Sequence, residues 1–132
     1  MASTSLPECH GRLHWLVLGA GAIGGLWALR LAAAGHEVTL LSRHDEPART
    51  LTLHDGAHVF THRFPCCDPR HAPLAAADRL LVTTKAGATA AALAPLLPAL
   101  PATLPVVLLQ NGMGQENALL ATRSDLLLST AI

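Results

Sequence analysis

The sequence predicts an α/β domain built on a doubly wound parallel sheet, and three observations carry that prediction. An apolar run, Leu13–Leu18, empties into glycines spaced G-x-G-x-x-G at Gly19, Gly21 and Gly24. An Ala/Leu-rich stretch of helical period follows at once. Short apolar runs then alternate with helical segments along the chain, the pattern of βαβ units with helical crossovers. At 132 residues the chain suits one domain large enough to bury a core.

Leu13–Leu18 reads as a buried parallel strand because it is apolar without alternation. The next segment, Ala22–Ala34, reads as a helix, with Ile23, Leu26, Trp27 and Leu31 at helical spacing and Gly35 placed to cap its end. His36–Ser42 (HEVTLLS) reads as the second strand and completes one βαβ unit. Between His44 and Ala77 the pattern breaks. Two short alternating pieces, Leu51–His54 and His58–Thr61, flank the hairpin signal Asp55-Gly56, and Pro65, Pro69 and Pro73 mark irregular loop. Strand Arg79–Thr83 follows, then a helix from Ala86 to Leu93. Pro95, Pro98, Pro101 and Pro105 punctuate a helical turn and a loop. Strand Val106–Gln110, the turn Asn111–Gly114, a helix from Gln115 to Ala121 and a last strand, Asp125–Ala131, complete the expected order. Residues 1–12 read as a flexible N-terminal segment ahead of the domain at 13–132.

Composition removes several function classes. Hydrophobic residues make up 51%, charged residues 14%, and the formal net charge is +0, so no basic face is expected for nucleic acid. Aromatic residues are only 3%, too few for a base-stacking surface. The polar start MASTSLPECHGR lacks the apolar region of a secretion signal, and Cys9, Cys66 and Cys67 are an odd set, so a reducing, cytoplasmic compartment is expected. Cys66 and Cys67 read as free thiols in a loop. Leu13–Ala34 approaches the length of a membrane span, but His14, Arg30 and the glycines interrupt it, and no membrane partner is expected.

The glycine spacing has a chemical reading. Gly19 permits the tight strand-to-helix turn, Gly21 removes the Cβ that would hold a phosphate off the backbone, and Gly24 lets helix and strand approach. The helix that follows points unpaired N–H groups and its positive dipole end at an anion. Gly19, Ala20, Gly21, Ala22, Ile23 and Gly24 are therefore the expected pyrophosphate cradle of a dinucleotide in a Rossmann-like domain. At the end of the second strand an NAD-binding domain usually carries a carboxylate for the ribose hydroxyls. Here the strand ends Leu41-Ser42-Arg43. A guanidinium there grips a 2′-phosphate, so Arg43 points to NADP(H), with Ser42 as a second donor; Asp45 against a ribose is the alternative. Lys85 and Asn111 end two further strands, where a parallel sheet faces its ligand crevice. An ammonium and an amide at that edge suit the nicotinamide ribose and an anionic substrate. His54, His58 and His62 do not converge on one ion: they share a face on a helix, which Asp55-Gly56 opposes, and on one strand they would spread over about 25 Å. No metal site and no hydrolytic nucleophile is expected.

Taken in order, GAGAIGG at 19–25, GHEVTLLSR at 35–43, VTTK at 82–85 and QNGMG at 110–114 resemble the ketopantoate reductase (2-dehydropantoate 2-reductase) family. The resemblance implies NADPH-dependent reduction of the 2-oxo acid 2-dehydropantoate to pantoate, a step toward pantothenate and coenzyme A. It assigns Gly19–Gly24 to the pyrophosphate, Arg43 to the 2′-phosphate, and Lys85 and Asn111 to the nicotinamide and substrate side. Family members are about twice this length. Their second, all-helical domain supplies the general-acid lysine, and it is absent before Ile132. No catalytic residue is therefore assigned in this chain, and Lys85 is not that lysine. The expectation is the cofactor-binding part of the reductase, inactive as this fragment. A related 2-oxo acid reductase, or a nucleotide-binding module without catalysis, is the alternative.

Overall fold

A computed structural model describes residues 11–19, 21–42, 46–85, 88–109, 120, 123 and 125–131. Its described strands are β1 (His14–Leu18), β2 (Glu37–Leu41), β3 (Ala48–Asp55), β4 (His58–Cys67), β5 (Arg79–Val82), β6 (Val106–Leu109) and β7 (Leu128–Ala131). Two α-helices are described, α1 (Ala22–Ala33) and the short α2 (Thr89–Leu93), with 3-10 turns at Pro69–His71, Leu74–Ala76 and Leu97–Ala99. The strands form one sheet in the order β3-β4-β2-β1-β5-β6-β7. All its pairings are parallel except β3 with β4.

Burial follows the pleat. On β1, Leu16 and Leu18 face one core with Leu80, Val82, Leu93 and Leu108, while Val17 faces another with Ala28, Leu29, Leu40 and Phe64. The sheet is thus covered on both sides, which is why its central strands read as unbroken apolar runs. Helix α1 lies over the second core through Ala28 and Leu29. It ends as expected at Gly35, whose φ of 96° suits glycine and whose N–H bonds to the Ala32 carbonyl at 3.0 Å.

The hairpin corrects the reading of residues 44–77. Ala48–Asp55 and His58–Cys67 run as two long antiparallel strands around the expected turn, with Gly56 at φ 61°. Pro65 lies within a strand rather than a loop. It stands opposite Ala48 near the end of the ladder, and the next amide, Cys66 N–H, bonds to the Pro47 carbonyl at 2.9 Å, so pairing resumes past the missing donor. Cys66 and Cys67 are accordingly strand residues, parallel to Leu40 and Leu41, not loop thiols. Pro69 and Pro73 do punctuate 3-10 turns.

Other boundaries shift by a few residues. The strand expected at 125–131 starts at Leu128, after Arg123 pairs with Asp125 at 2.7 Å and donates to the Leu97 and Leu100 carbonyls. The helix expected from Ala86 is described only from Thr89, Ala86 and Gly87 lying outside the described residues. Residues 1–10, the turn at Asn111 and most of the helix expected at 115–121 also lie outside them. Among the described residues no helix is long and apolar enough to cross a membrane.

Candidate cofactor-binding site

Strand order reverses at β1, which has β2 on one side and β5 on the other. A crevice opens outside the carboxyl ends of a doubly wound sheet at such a switch point. Here it has a volume of about 670 Å³ and is walled by the β1–α1 turn, the ends of β2 and β5, and the start of β3.

Each glycine of the turn has its own reason. Gly19 sits at φ 92°, and a Cβ there would stand 2.8 Å from both the Thr84 amide nitrogen and its methyl. At Gly24 a Cβ would stand 2.3 Å from the Gly19 carbonyl oxygen and 2.5 Å from Thr83 Oγ1. Gly21 differs: a Cβ there would meet nothing within 4 Å, because that side opens onto the crevice. The turn is braced from just past β5, where the Thr83 hydroxyl donates to the carbonyls of Gly19 and, at 3.2 Å, Leu18. Helix α1 begins with Gly21 as its N-cap, with no side-chain cap and no acidic residue in its first turn. Its leading N–H groups therefore lack an internal partner and present positive charge at the crevice.

Gly19, Gly21–Gly24, Ser42 and Lys85 all line this crevice, so the structure brings together most of the expected site. Ser42 is buried at the end of β2, its amide bonded to the Cys67 carbonyl at 2.9 Å. Lys85 is exposed and lies three residues past the end of β5. Its carbonyl is held by Ala88 N–H at 2.8 Å and the Thr89 hydroxyl at 3.4 Å, and Thr89 is fully buried. Ala20, Arg43, Asp45 and Asn111 lie outside the described residues.

Among the described lining residues that the sequence did not mark, one is charged. Arg49, on β3, reaches the crevice wall, where its Nη2 approaches Ser42 Oγ at 3.5 Å and its Nε donates to Glu46 Oε1 at 2.8 Å. Its in-phase spacing with Leu51 and Leu53 was the available signal, once the strand is extended back to Ala48. Nearby, burial pushes the Cys66 thiol up, the Glu46 carboxylate adding to the shift while Arg49 opposes it, so the thiol is not an activated nucleophile. The histidines separate: His54 lies on β3, and His62 on β4 lies between Phe60 and Phe64, with ring centroids 6.0 and 4.6 Å away. Among the described residues no group of three or more His, Cys, Asp or Glu is placed to hold a metal ion.

A glycine cradle, an uncapped helix start, Ser42 after β2 and Arg49 near the start of β3 together have the donors and charge that an extended anionic ligand would need. Comparison with known proteins identifies the family. Residues 15–128 match the model of the family described as Ketopantoate reductase PanE/ApbA. The 2-dehydropantoate 2-reductase of Vibrio cholerae is 44% identical over 107 residues, 81% of this chain and 34% of that protein. That of Escherichia coli O157:H7 is 39% identical over 116 residues, 86% of this chain and 37% of that protein. The chain thus spans about a third of the length of these curated relatives. Among solved structures, a PanE/ApbA family ketopantoate reductase from Ralstonia eutropha JMP134 superimposes with a TM-score of 0.71 at 29% identity, over 89% of this chain and 40% of that one. The 2-dehydropantoate 2-reductase of Methylococcus capsulatus gives 0.72 at 25%, with the same coverage. The chain belongs to the ketopantoate reductase PanE/ApbA family.

Proposed function

We propose that this chain is the NADP(H)-binding part of a 2-dehydropantoate 2-reductase. The observation that carries the reading is Gly21, whose missing Cβ leaves the backbone open to the crevice at the start of α1. A pyrophosphate takes that place, on the leading N–H groups of the helix, with Gly19, Ala20, Ala22, Ile23 and Gly24 shaping the turn. Arg43 and Ser42 are assigned to the adenosine 2′-phosphate. Lys85 and Asn111 serve the nicotinamide ribose and the 2-oxo acid substrate. The nicotinamide supplies a hydride when bound, and this chain's part is to hold and orient it.

Reduction of a ketone also needs an acid to protonate the developing alkoxide. By the family resemblance that acid is a lysine of the relatives' helical domain, and the residues assigned here bind NADPH without supplying it. Free thiols at Cys66 and Cys67 fit a reducing, cytoplasmic setting. The test is titration of NADPH and NADH against wild type and Arg43→Ala. Loss of a charge-assisted bond should cost about 1.5–3 kcal/mol for NADPH and little for NADH. Equal losses, or steady-state reduction of 2-dehydropantoate by the purified chain, contradict the proposal.

A further inference from the structure

Arg49 is brought to the ligand edge by strand direction. Strand β4 runs parallel to β2, so its end at Cys66 and Cys67 lies at the carboxyl edge of the sheet, beside Leu40 and Leu41. Strand β3 runs the other way, and its beginning, with Arg49 opposite Phe64, returns to that same edge. The inward phase of β3 puts Leu51 and Leu53 against the core of Phe64 and Leu40, and Leu51 touches the position of Gly25 on α1. Arg49 continues that face one step further, where the core ends and the crevice begins. Its guanidinium is three-quarters buried and tied to one carboxylate oxygen of Glu46 through both Nε and Nη2, with Ser42 Oγ at 3.5 Å from Nη2. A long side chain held this way has given up its rotamer freedom before any ligand arrives.

We infer that Arg49 is a second cation for the 2′-phosphate of the dinucleotide, set against Ser42 at the end of β2, with Glu46 as the residue that aims it. The inference rests on the NADP(H) reading above and adds a residue from the hairpin rather than from the βαβ unit. A planar guanidinium beside a hydroxyl matches a phosphate monoester, which offers three acceptor oxygens. The hairpin thereby has a purpose in recognition: it carries a cation to the one part of the ligand that separates NADP(H) from NAD(H). The competing account is that Arg49 and Glu46 only fasten the start of β3.

The test uses the full chain with NADPH, NADH and adenosine 2′,5′-bisphosphate as probes, against wild type, Arg49→Ala, Arg49→Lys and Glu46→Gln. Arg49→Ala should weaken NADPH and the bisphosphate about tenfold or more and leave NADH unchanged. Arg49→Lys should recover part of the loss, because the charge returns without the fork. Glu46→Gln breaks the same ion pair but removes a negative charge from beside the phosphate, so NADPH affinity should hold or rise. If Arg49 only fastens β3, Glu46→Gln and Arg49→Ala will weaken NADPH and NADH alike, and the inference falls. A wild-type preference for NADPH that Arg49→Ala leaves intact overturns the role of Arg49 alone. A wild type that binds none of the probes overturns the NADP(H) reading with it.

Discussion

At the scale of single residues, the three glycines of the turn divide between folding and recognition. Gly24 is folding: a methyl there would press on the Gly19 carbonyl and the Thr83 hydroxyl, both held in place. Gly24→Ala should therefore destabilise the chain by about 1–3 kcal/mol, as overpacking does, and lower its thermal midpoint. Gly21 serves recognition in the function proposed above. Its Cβ would enter open space, so Gly21→Ala should leave the thermal midpoint within the small range of ordinary surface changes. Comparable melting losses for the two variants would contradict this division. The spacing G-x-G-x-x-G was legible in the sequence, but the division was not, because it depends on Thr83 and Thr84 arriving from β5 some sixty residues later.

At the scale of elements, the βαβ unit was legible and the hairpin only half so. Leu13–Leu18 and His36–Ser42 lie in the middle of the sheet, where burial on both faces leaves an apolar run that periodicity detects. The hairpin strands are covered on one side by α1 and exposed on the other, and β4 contains a proline, so their ends disappear into polar sequence. What fastens them is Phe64, fully buried and opposite Arg49. Phe64→Ala should cost about 3–5 kcal/mol, read by denaturant unfolding, and a cost near zero would mean the hairpin is not docked as described.

The 3-10 turn after β4 titrates. Asp68 accepts the Arg70 amide at 2.8 Å and its Nε at 3.1 Å, and this side-chain pairing holds the carboxyl at about 2, down from an ordinary 3.8. A carboxyl depressed in the folded state adds stability above its unfolded value and loses it as pH falls toward the folded one. The Asp68 contribution should therefore be complete above about pH 4 and fade toward pH 2, and Asp68→Asn should shrink the drop in thermal midpoint across that interval. Because Arg70 is largely exposed and Asp68 partly so, added salt should reduce the effect. A drop that is the same in the variant contradicts the assignment.

At the scale of the whole molecule, a neutral, leucine-rich chain with two apolar layers on one sheet places its chemistry at one edge. Gly19, Gly21, Ser42 and Lys85 were legible as candidates because each sits at the end of a run that reads as a strand, and strand ends are where a parallel sheet meets its ligand. Arg49 was not, since it starts an edge strand that returns to that edge only by running antiparallel. The mixed edge thus contributes Arg49 to the crevice wall. The most direct measurement of the central claim is a calorimetric titration of NADPH into the wild-type chain and into Gly21→Ala. The account predicts saturable binding to wild type, weaker binding to the variant and equal thermal midpoints for both apo chains. No binding to wild type, or equal affinity in the variant, would contradict it.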